Sequence, residues 1–343
     1  MIARAVTVLV ATLLGVLGLA LPAQAAAQRV CRVSDDRLTE LSGLVATSAG
    51  YVVVNDGSDE KSHRKIFFLG KSCGVTRTVS YPSTPRDTED LAAAADGTLW
   101  VADIGDNDSK RDSIALWRLA PGARTPVLYR MKYPDGAHNA EALLWLPSGT
   151  PVVVTKTFGA AEAYVPAAAL RTGTTTPLRS VGSIDLPLTE TDNPFGIAGH
   201  LVVTGGAVSP DGKHAVLRTY ADAFEFEVTG GDVVGAITSG TPRQIPLPNE
   251  PQGESVAYTT DGTALLTISE GKDPSILRYA LPSRPAVTSS PTPGAGASRA
   301  PQLSAGSRVA ASDRIPAGVL VAGGVLTLGV ATLLLVVAWR KSR

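Results

Sequence analysis

Several things are scarce in this sequence. Of its 343 residues two are cysteine and four are histidine, and aromatic residues make up only 5%. The two cysteines, Cys31 and Cys73, form no C-x-x-C and sit near no histidine pair of metal-binding spacing, which argues against a Cys/His metal site. There is no G-x-S-x-G, so the case for nucleophilic catalysis is thin. Lys+Arg and Asp+Glu are both 31, for a net charge of zero. No basic patch interleaved with aromatics occurs, which argues against a nucleic-acid partner. Helix-period segments are scarce too, residues 160–170 being the one candidate.

The chain's ends are strongly apolar. Arg4 precedes an apolar run over residues 5–21, then Pro22 and Ala23-Gln24-Ala25-Ala26-Ala27. A basic start, an apolar stretch and an A-x-A site read as a secretory signal peptide. The expected peptide is residues 1–25, with cleavage after Ala27 as the near alternative and an uncleaved anchor as the other reading. At the far end, residues 317–339 carry no charge and are followed by Arg340, Lys341 and Arg343. About 20 apolar residues cross a bilayer, and the basic tail sets the orientation. The expectation is a single-pass helix over 316–339 with a cytoplasmic tail at 340–343. The folded part therefore faces outside, with the membrane as a partner through that helix. Residues 284–315 are rich in Pro, Ser, Thr, Ala and Gly and read as a stalk that cannot bury enough apolar surface to fold. The expected domain is residues 28–283. Outside the cell its two cysteines are expected to form a disulfide.

An internal repeat organises that domain. Ser42-Gly43-Leu44-Val45-Ala46 with Gly50-Tyr51-Val52-Val53-Val54 returns as Glu89-Asp90-Leu91-Ala92-Ala93 with Gly97-Thr98-Leu99-Trp100-Val101. Further copies start near Glu141, Gly206 and Glu254. Each copy shows short β-type runs joined by a Gly turn, three times as Asp-Gly: Asp96-Gly97, Asp211-Gly212 and Asp261-Gly262. That dipeptide is a strong hairpin signal, and a period of about 50 residues suits four-stranded blades. The fold expected is all-β: a propeller of five four-stranded blades, or six if the wide gap between the third and fourth copies holds part of another. A β-sandwich is the non-repeat alternative. Residues 29–33 are expected to supply the last strand of the final blade, and a Cys31–Cys73 bridge to tie it to the first.

The repeat alignment also shows which side chains converge. Two residues before the anchoring apolar position stand Ser42, Glu89, Glu141, Gly206 and Glu254; after the second run stand Asp56, Asp103, Thr155 and Ser269-Glu270. Blade starts need no carboxylate, so three glutamates at one repeat position point to binding. The binding candidates are Glu89, Glu141, Glu254, Asp56 and Asp103. The second repeat is richest in acid, and Asp87, Glu89, Asp103 and Asp106 are the candidate ligands of a Ca²⁺ ion, which takes six to eight oxygens. The alternative for that stretch is a turn with Asx-type backbone bonds. Crowded carboxylates need a cation, a proton or a basic side chain, for which Lys156, Arg218 and Arg86 are at hand. His138, next to Asn139-Ala140-Glu141, is the one candidate general acid or base.

Asp87-Thr88-Glu89-Asp90-Leu91-Ala92, Val101-Ala102-Asp103-Ile104-Gly105-Asp106-Asn107 and Gln252-Gly253-Glu254-Ser255-Val256-Ala257 resemble segments of the phytase-like (esterase-like activity) and lactonase-type propellers. The resemblance spans most of residues 38–281. It implies a propeller whose channel often holds Ca²⁺, in a secreted, membrane-tethered bacterial setting. The chain departs from that pattern in lacking an Asp-Asp-Pro start and in placing Ser42 and Gly206 within the glutamate series. Two functions follow. One is a surface module that binds a ligand or a protein partner. The other is a Ca²⁺-dependent phosphoesterase or lactonase/esterase. Without an assigned nucleophile the residues favour the first.

Overall fold

The repeated glycine turn is where this fold is set. In a computed structural model that describes residues 27–282, Gly97, Gly149, Gly212 and Gly262 have φ between 67° and 82°. Glycine reaches that left-handed region at little cost, whereas a Cβ would clash there. Each donates its N–H to the carbonyl three residues back: Ala94, Leu146, Ser209 and Thr259 respectively.

The strands in chain order are β1 (Gln28–Arg32), β2 (Leu41–Thr47), β3 (Gly50–Asn55), β4 (Lys65–Gly70), β5 (Val75–Ser80), β6 (Thr88–Ala93), β7 (Leu99–Asp103), β8 (Ile114–Leu119), β9 (Val127–Lys132) and β10 (Ala140–Trp145). They continue with β11 (Pro151–Thr155), β12 (Ala160–Pro166), β13 (Thr175–Asp185), β14 (Gly205–Val208), β15 (His214–Arg218), β16 (Asp222–Glu227), β17 (Arg243–Pro246), β18 (Gly253–Tyr258), β19 (Ala264–Ser269) and β20 (Ser275–Ala280). Two short helices interrupt them, α1 (Ile197–Leu201) and α2 (Val233–Ser239). Strands β2–β5 and β14–β17 each make a four-stranded antiparallel sheet. Strands β6–β9 and β10–β13 are joined into one eight-stranded sheet by a short parallel pairing of Thr175–Pro177 with Arg130–Lys132. Strand β1 pairs antiparallel with β20 and completes the sheet of β18–β20. The first strands touch in a closed sequence, β2 to β6, β6 to β10, β10 to β14, β14 to β18 and β18 back to β2. The architecture is all-β and propeller-like.

Apolar cores lie between successive four-strand groups. Phe67 and Leu44 pack with Leu266 and Ile276, Val52 and Ile66 with Val101 and Trp117, and Leu116 with Leu143, Val153 and Tyr164. Val152 and Ala163 pack with Leu217 and Phe224, and Val216 with Leu265 and Tyr279. Because both faces of each middle strand are covered, β11 and β19 are buried along their whole length, as uninterrupted apolar runs require. The Cys31–Cys73 disulfide links the closing strand β1 to the turn between β4 and β5, with a sequence separation of 42. Closing a loop of that length is worth about 4 kcal/mol by restricting the unfolded chain.

Some expectations are corrected. Residues 160–170 are no helix: β12 occupies Ala160–Pro166, with Ala161, Ala163 and Val165 in one core and Tyr164 in the next. Alanine-rich composition favours helix only weakly, and packing on both faces overrides it. The helices that do exist are elsewhere. In α2, Val233 and Ile237 are buried and Asp232 caps the N-terminus by accepting from the Gly235 N–H. The wide gap after the third copy holds the eleven-residue β13, the segment 186–204 and α1.

The chain divides into two units, Met1–Pro285 and Ala286–Arg343. The signal peptide, stalk, membrane helix and basic tail expected from the sequence lie outside the described residues. Among the described residues, no helix is long and apolar enough to cross a membrane.

Candidate functional site

The repeated position of Ser42, Glu89, Glu141 and Glu254 has a physical meaning. The ladder between the first and second strand slips at Leu41/Gly43, Thr88/Asp90, Ala140/Ala142 and Gly253/Ser255. The residue left over at each slip is Ser42, Glu89, Glu141 or Glu254. A bulge re-aims the side chain it carries. In the fourth copy the register is regular, with Gly206 opposite Leu217. The three glutamates are at most 4% exposed.

These bulged residues meet acids from neighbouring loops. Asp56, Asp87 and Glu89 each offer an oxygen within 4.8 Å of the others, and so do Asp56, Glu254 and Glu270. Asp56 belongs to both sets. It follows β3 and is fixed by its N–H to the Glu40 carbonyl at 2.7 Å, while the Glu270 N–H reaches Gln252 at 2.9 Å. Two glycines leave room for the carboxylates: a Cβ on Gly105 would sit 2.0 Å from Glu89 Oε1, and one on Gly57 would sit 2.1 Å from Asp87 Oδ1. Burial pushes the Glu89 carboxyl well above the usual range, and the charges of Asp56, Glu141, Asp87 and Glu254 push it further.

A basic side completes the cluster. Lys156 Nζ donates to Glu141 Oε1 and, at 2.8 Å, to Tyr220 Oη. Tyr220 Oη donates to Glu254 Oε1 at 3.3 Å, which also accepts from Gln252 Nε2 at 3.3 Å. Burial raises Glu141 to about 8 against the opposing pull of Lys156, with Glu254 adding to the rise. Burial works against the Lys156 charge, but Glu141, Tyr220 and Glu254 outweigh it and hold the ammonium well above its ordinary value. Both shifts point the same way, to a net-negative cluster that retains protons or takes a cation. Glu141 Oε2, on a side chain facing Glu254 and Asp56, is buried with no hydrogen-bond partner among the described residues. A buried carboxylate oxygen without a donor is costly unless something outside the chain supplies one.

Four sequence candidates fall outside this cluster. Asp103 accepts from the N–H groups of Arg86 and Asp87, from Arg111 Nη2 at 2.8 Å and from Trp117 Nε1 at 3.1 Å. Its oxygens hold the loop that carries Asp87, and it is in neither three-carboxylate set. Asp106, buried, accepts from the N–H groups of Lys110 and Arg111 at 2.9 and 2.8 Å, four and five residues on, and so closes its own loop. His138 meets Asp135 Oδ1 at 3.0 Å and Tyr164 Oη at 3.2 Å and packs on Tyr133; no cluster carboxylate is among its partners. Arg218 is fully buried but pairs with Glu250 Oε2 at 3.1 Å. Tyr220 was not visible in the sequence, since it stands in a turn between β15 and β16 and at no repeated position.

Below the acids the ring is tied shut. Ser42 Oγ donates to the Glu89 carbonyl and Ser255 Oγ to the Ser42 carbonyl. Asp90, fully buried, accepts from the N–H groups of Leu143 at 2.8 Å and Gly206 at 3.3 Å and so joins three first strands. The other end of these strands opens on a cavity of about 680 Å³ lined by Ala46, Ala93, Trp100, Trp145, Val208 and Ala257 among others. Asp96, Arg118 and Tyr258 also line it, and the residues of the two three-carboxylate sets are not among its lining.

No protein-family model and no curated protein matches the sequence. Among solved structures the chain is similar to a gluconolactonase from Xanthomonas campestris, at 16% identity over 70% of this chain and 72% of that one, TM-score 0.40. A glucose dehydrogenase matches at 11% identity over 75% and 99%, TM-score 0.41. A streptogramin B lyase matches at 12% over 74% and 97%, TM-score 0.40. Likeness this distant does not extend to activity.

Proposed function

We propose that this protein is a five-bladed propeller at the bacterial cell surface whose acidic end is a Ca²⁺-dependent hydrolytic site for an ester, lactone or phosphoester. The observation that carries the reading is the pair of three-carboxylate sets sharing Asp56, next to the Lys156–Glu141–Tyr220 group. Five blades are supported by five first strands in closed sequence and five cores between them, with the eight-stranded sheet counted as two blades joined at their edges. The surface setting is supported by the signal-like start, the apolar run with its basic stop, and the disulfide. Residues 284–315 then act as the stalk.

The residues suit the ion. Asp56, Asp87, Glu89, Glu254 and Glu270 supply hard oxygen donors of the kind Ca²⁺ takes. When bound, such an ion neutralises the cluster and polarises a ligand oxygen. The chain's own groups do the rest. Tyr220 Oη and Lys156 Nζ are donors aimed at the same space as Glu254, able to orient a polar head and hold a proton at Nζ. Glu141 keeps that ammonium in place.

A second reading, a binding module without chemistry, is favoured by the state of the hydroxyls and of His138. Ser42 Oγ is bonded to the Glu89 carbonyl, and His138 is engaged with Asp135 and Tyr164. Turnover decides between the two. The hydrolase reading expects the full chain with Ca²⁺ to cleave a phosphomonoester or a lactone, and Glu89→Gln to abolish cleavage while still unfolding in one cooperative transition. Ca²⁺ binding without turnover on either substrate class leaves the binding module.

A further inference from the structure

Large apolar side chains stand exposed at five places among the described residues, and three of them belong to connections at the acidic end of the strands: Phe158 at 48%, Leu188 at 61% and Ile197 at 62%. The other two, Val30 and Val127, lie on the outer strands β1 and β9. Phe158 is in the loop after β11, two residues beyond Lys156, where Thr155 pairs with Ala140 beside Glu141. Leu188 and Ile197 belong to the segment that leaves β13 at Asp185, opposite Ala160, and enters β14 at Gly205, opposite Arg218. That segment is anchored. The fully buried Asp222 accepts from the hydroxyls of Thr189 at 2.5 Å and Thr191 at 2.7 Å. Phe195 lays its ring on Tyr220 with centroids 4.2 Å apart. Single exposed apolar residues scattered over a surface need no explanation, but several on the rim of one polar site do. Phe195 joins the apolar rim to Tyr220, which Lys156 contacts, and Phe158 follows Lys156 by two residues.

We propose that the acidic site takes an amphiphile, with an ester or phosphoester head at the carboxylates and Lys156 and an aliphatic chain laid over Phe158, Phe195, Leu188 and Ile197. This rests on the cation site proposed above and names the class of its substrate. A bilayer is the poorer occupant. The rim lies at the end of the strands that carries Asp56, Asp87, Glu89, Glu254 and Glu270, where Lys156 is already paired with Glu141, and a cluster of that sign repels an anionic membrane surface.

The test separates head from chain. A series of n-alkylphosphonates from ethyl to decyl is titrated into the full chain with Ca²⁺ and followed by calorimetry; phosphonates are not hydrolysed, so binding is read without turnover. Affinity should rise roughly two- to fourfold per methylene. The triple variant Phe158→Ser, Leu188→Ser, Ile197→Ser should keep its affinity for ethylphosphonate and its response to Ca²⁺ while losing that rise. Affinity independent of chain length in the wild type, or a rise that survives in the variant, overturns the proposal. So does sedimentation with anionic vesicles that needs the same three residues while the phosphonate series is flat. Failure of Ca²⁺ itself to bind removes the cation reading instead; a chain-length rise measured without Ca²⁺ then upholds the apolar rim, and a flat series removes it as well.

Discussion

The two ends of the first strands are built on opposite plans. At one end four turns repeat the same glycine conformation and the same hydrogen bond, beside a cavity lined in part by alanines, Trp100 and Trp145. At the other end the copies diverge: a serine, three glutamates and a glycine occupy one repeated position, four of them on bulges. Repetition closes the ring, and departure from repetition builds the site. The uniform end repeats one turn, whereas the divergent end buries carboxylates that repel one another and must be compensated.

The contrast can be broken by unpairing the divergent end. Arg218→Met leaves Glu250 buried and charged without its partner, both side chains being at most 1% exposed. It should lower stability by about 3–5 kcal/mol in urea unfolding. A loss as small as that of a turn mutation would mean the two ends are equally tolerant.

Acidity sharpens the contrast next. Glu89 and Glu141 have folded-state values raised above the unfolded one, Glu141 from 4.5 to about 8. The folded state therefore binds their protons more tightly. Their favourable contribution is full below pH 4.5, declines as pH rises, and is lost for Glu141 above about 8. Chelator-treated protein should melt higher at pH 5 than at pH 8, and Ca²⁺ should raise the melting temperature more at pH 8. Glu89→Gln should raise the melting temperature at pH 8 in chelator and lower it in Ca²⁺. Melting that is flat with pH and indifferent to Ca²⁺ contradicts the electrostatic account.

Smaller effects belong to the uniform end. Gly97→Ala or Gly262→Ala forces a Cβ into φ of 82° or 67°, a cost of roughly 1–2 kcal/mol. Ca²⁺ affinity should be untouched. By contrast Gly105→Ala puts a Cβ against Glu89 and Asp87 and should weaken Ca²⁺ binding about tenfold or more at a similar cost in stability, as calorimetry beside a melt would show.

What was legible in the sequence follows the same division. The Asp-Gly turns, the closing strand (expected over 29–33, found at Gln28–Arg32) and the pairing of Cys31 with Cys73 could be read because each is a local signal or one of very few options. Glu89, Glu141 and Glu254 stood out because a repeat makes an odd residue visible. Asp103, which accepts from backbone N–H groups and Arg111, and Asp106, which accepts from backbone N–H groups, look in sequence the same as the carboxylates of the three-acid sets. His138 misled for a related reason, since adjacency to Glu141 along the chain says nothing of which way each side chain points when a bulge intervenes. Tyr220 and Phe195 come from a turn and a connecting segment outside the repeat, and only packing brings them to the mouth. The alanines of β12 read as helix until the sheets on either side claim them.

Asp56 is the carboxylate common to both three-acid sets, so its removal tests the account most directly. Calorimetric titration of the full chain with Ca²⁺ should give a binding isotherm that disappears in Asp56→Asn, with the variant's unfolding in chelator no less stable than that of the wild type. An isotherm absent from the wild type, or unchanged in Asp56→Asn, would contradict the claim that the divergent end of the ring is a cation site.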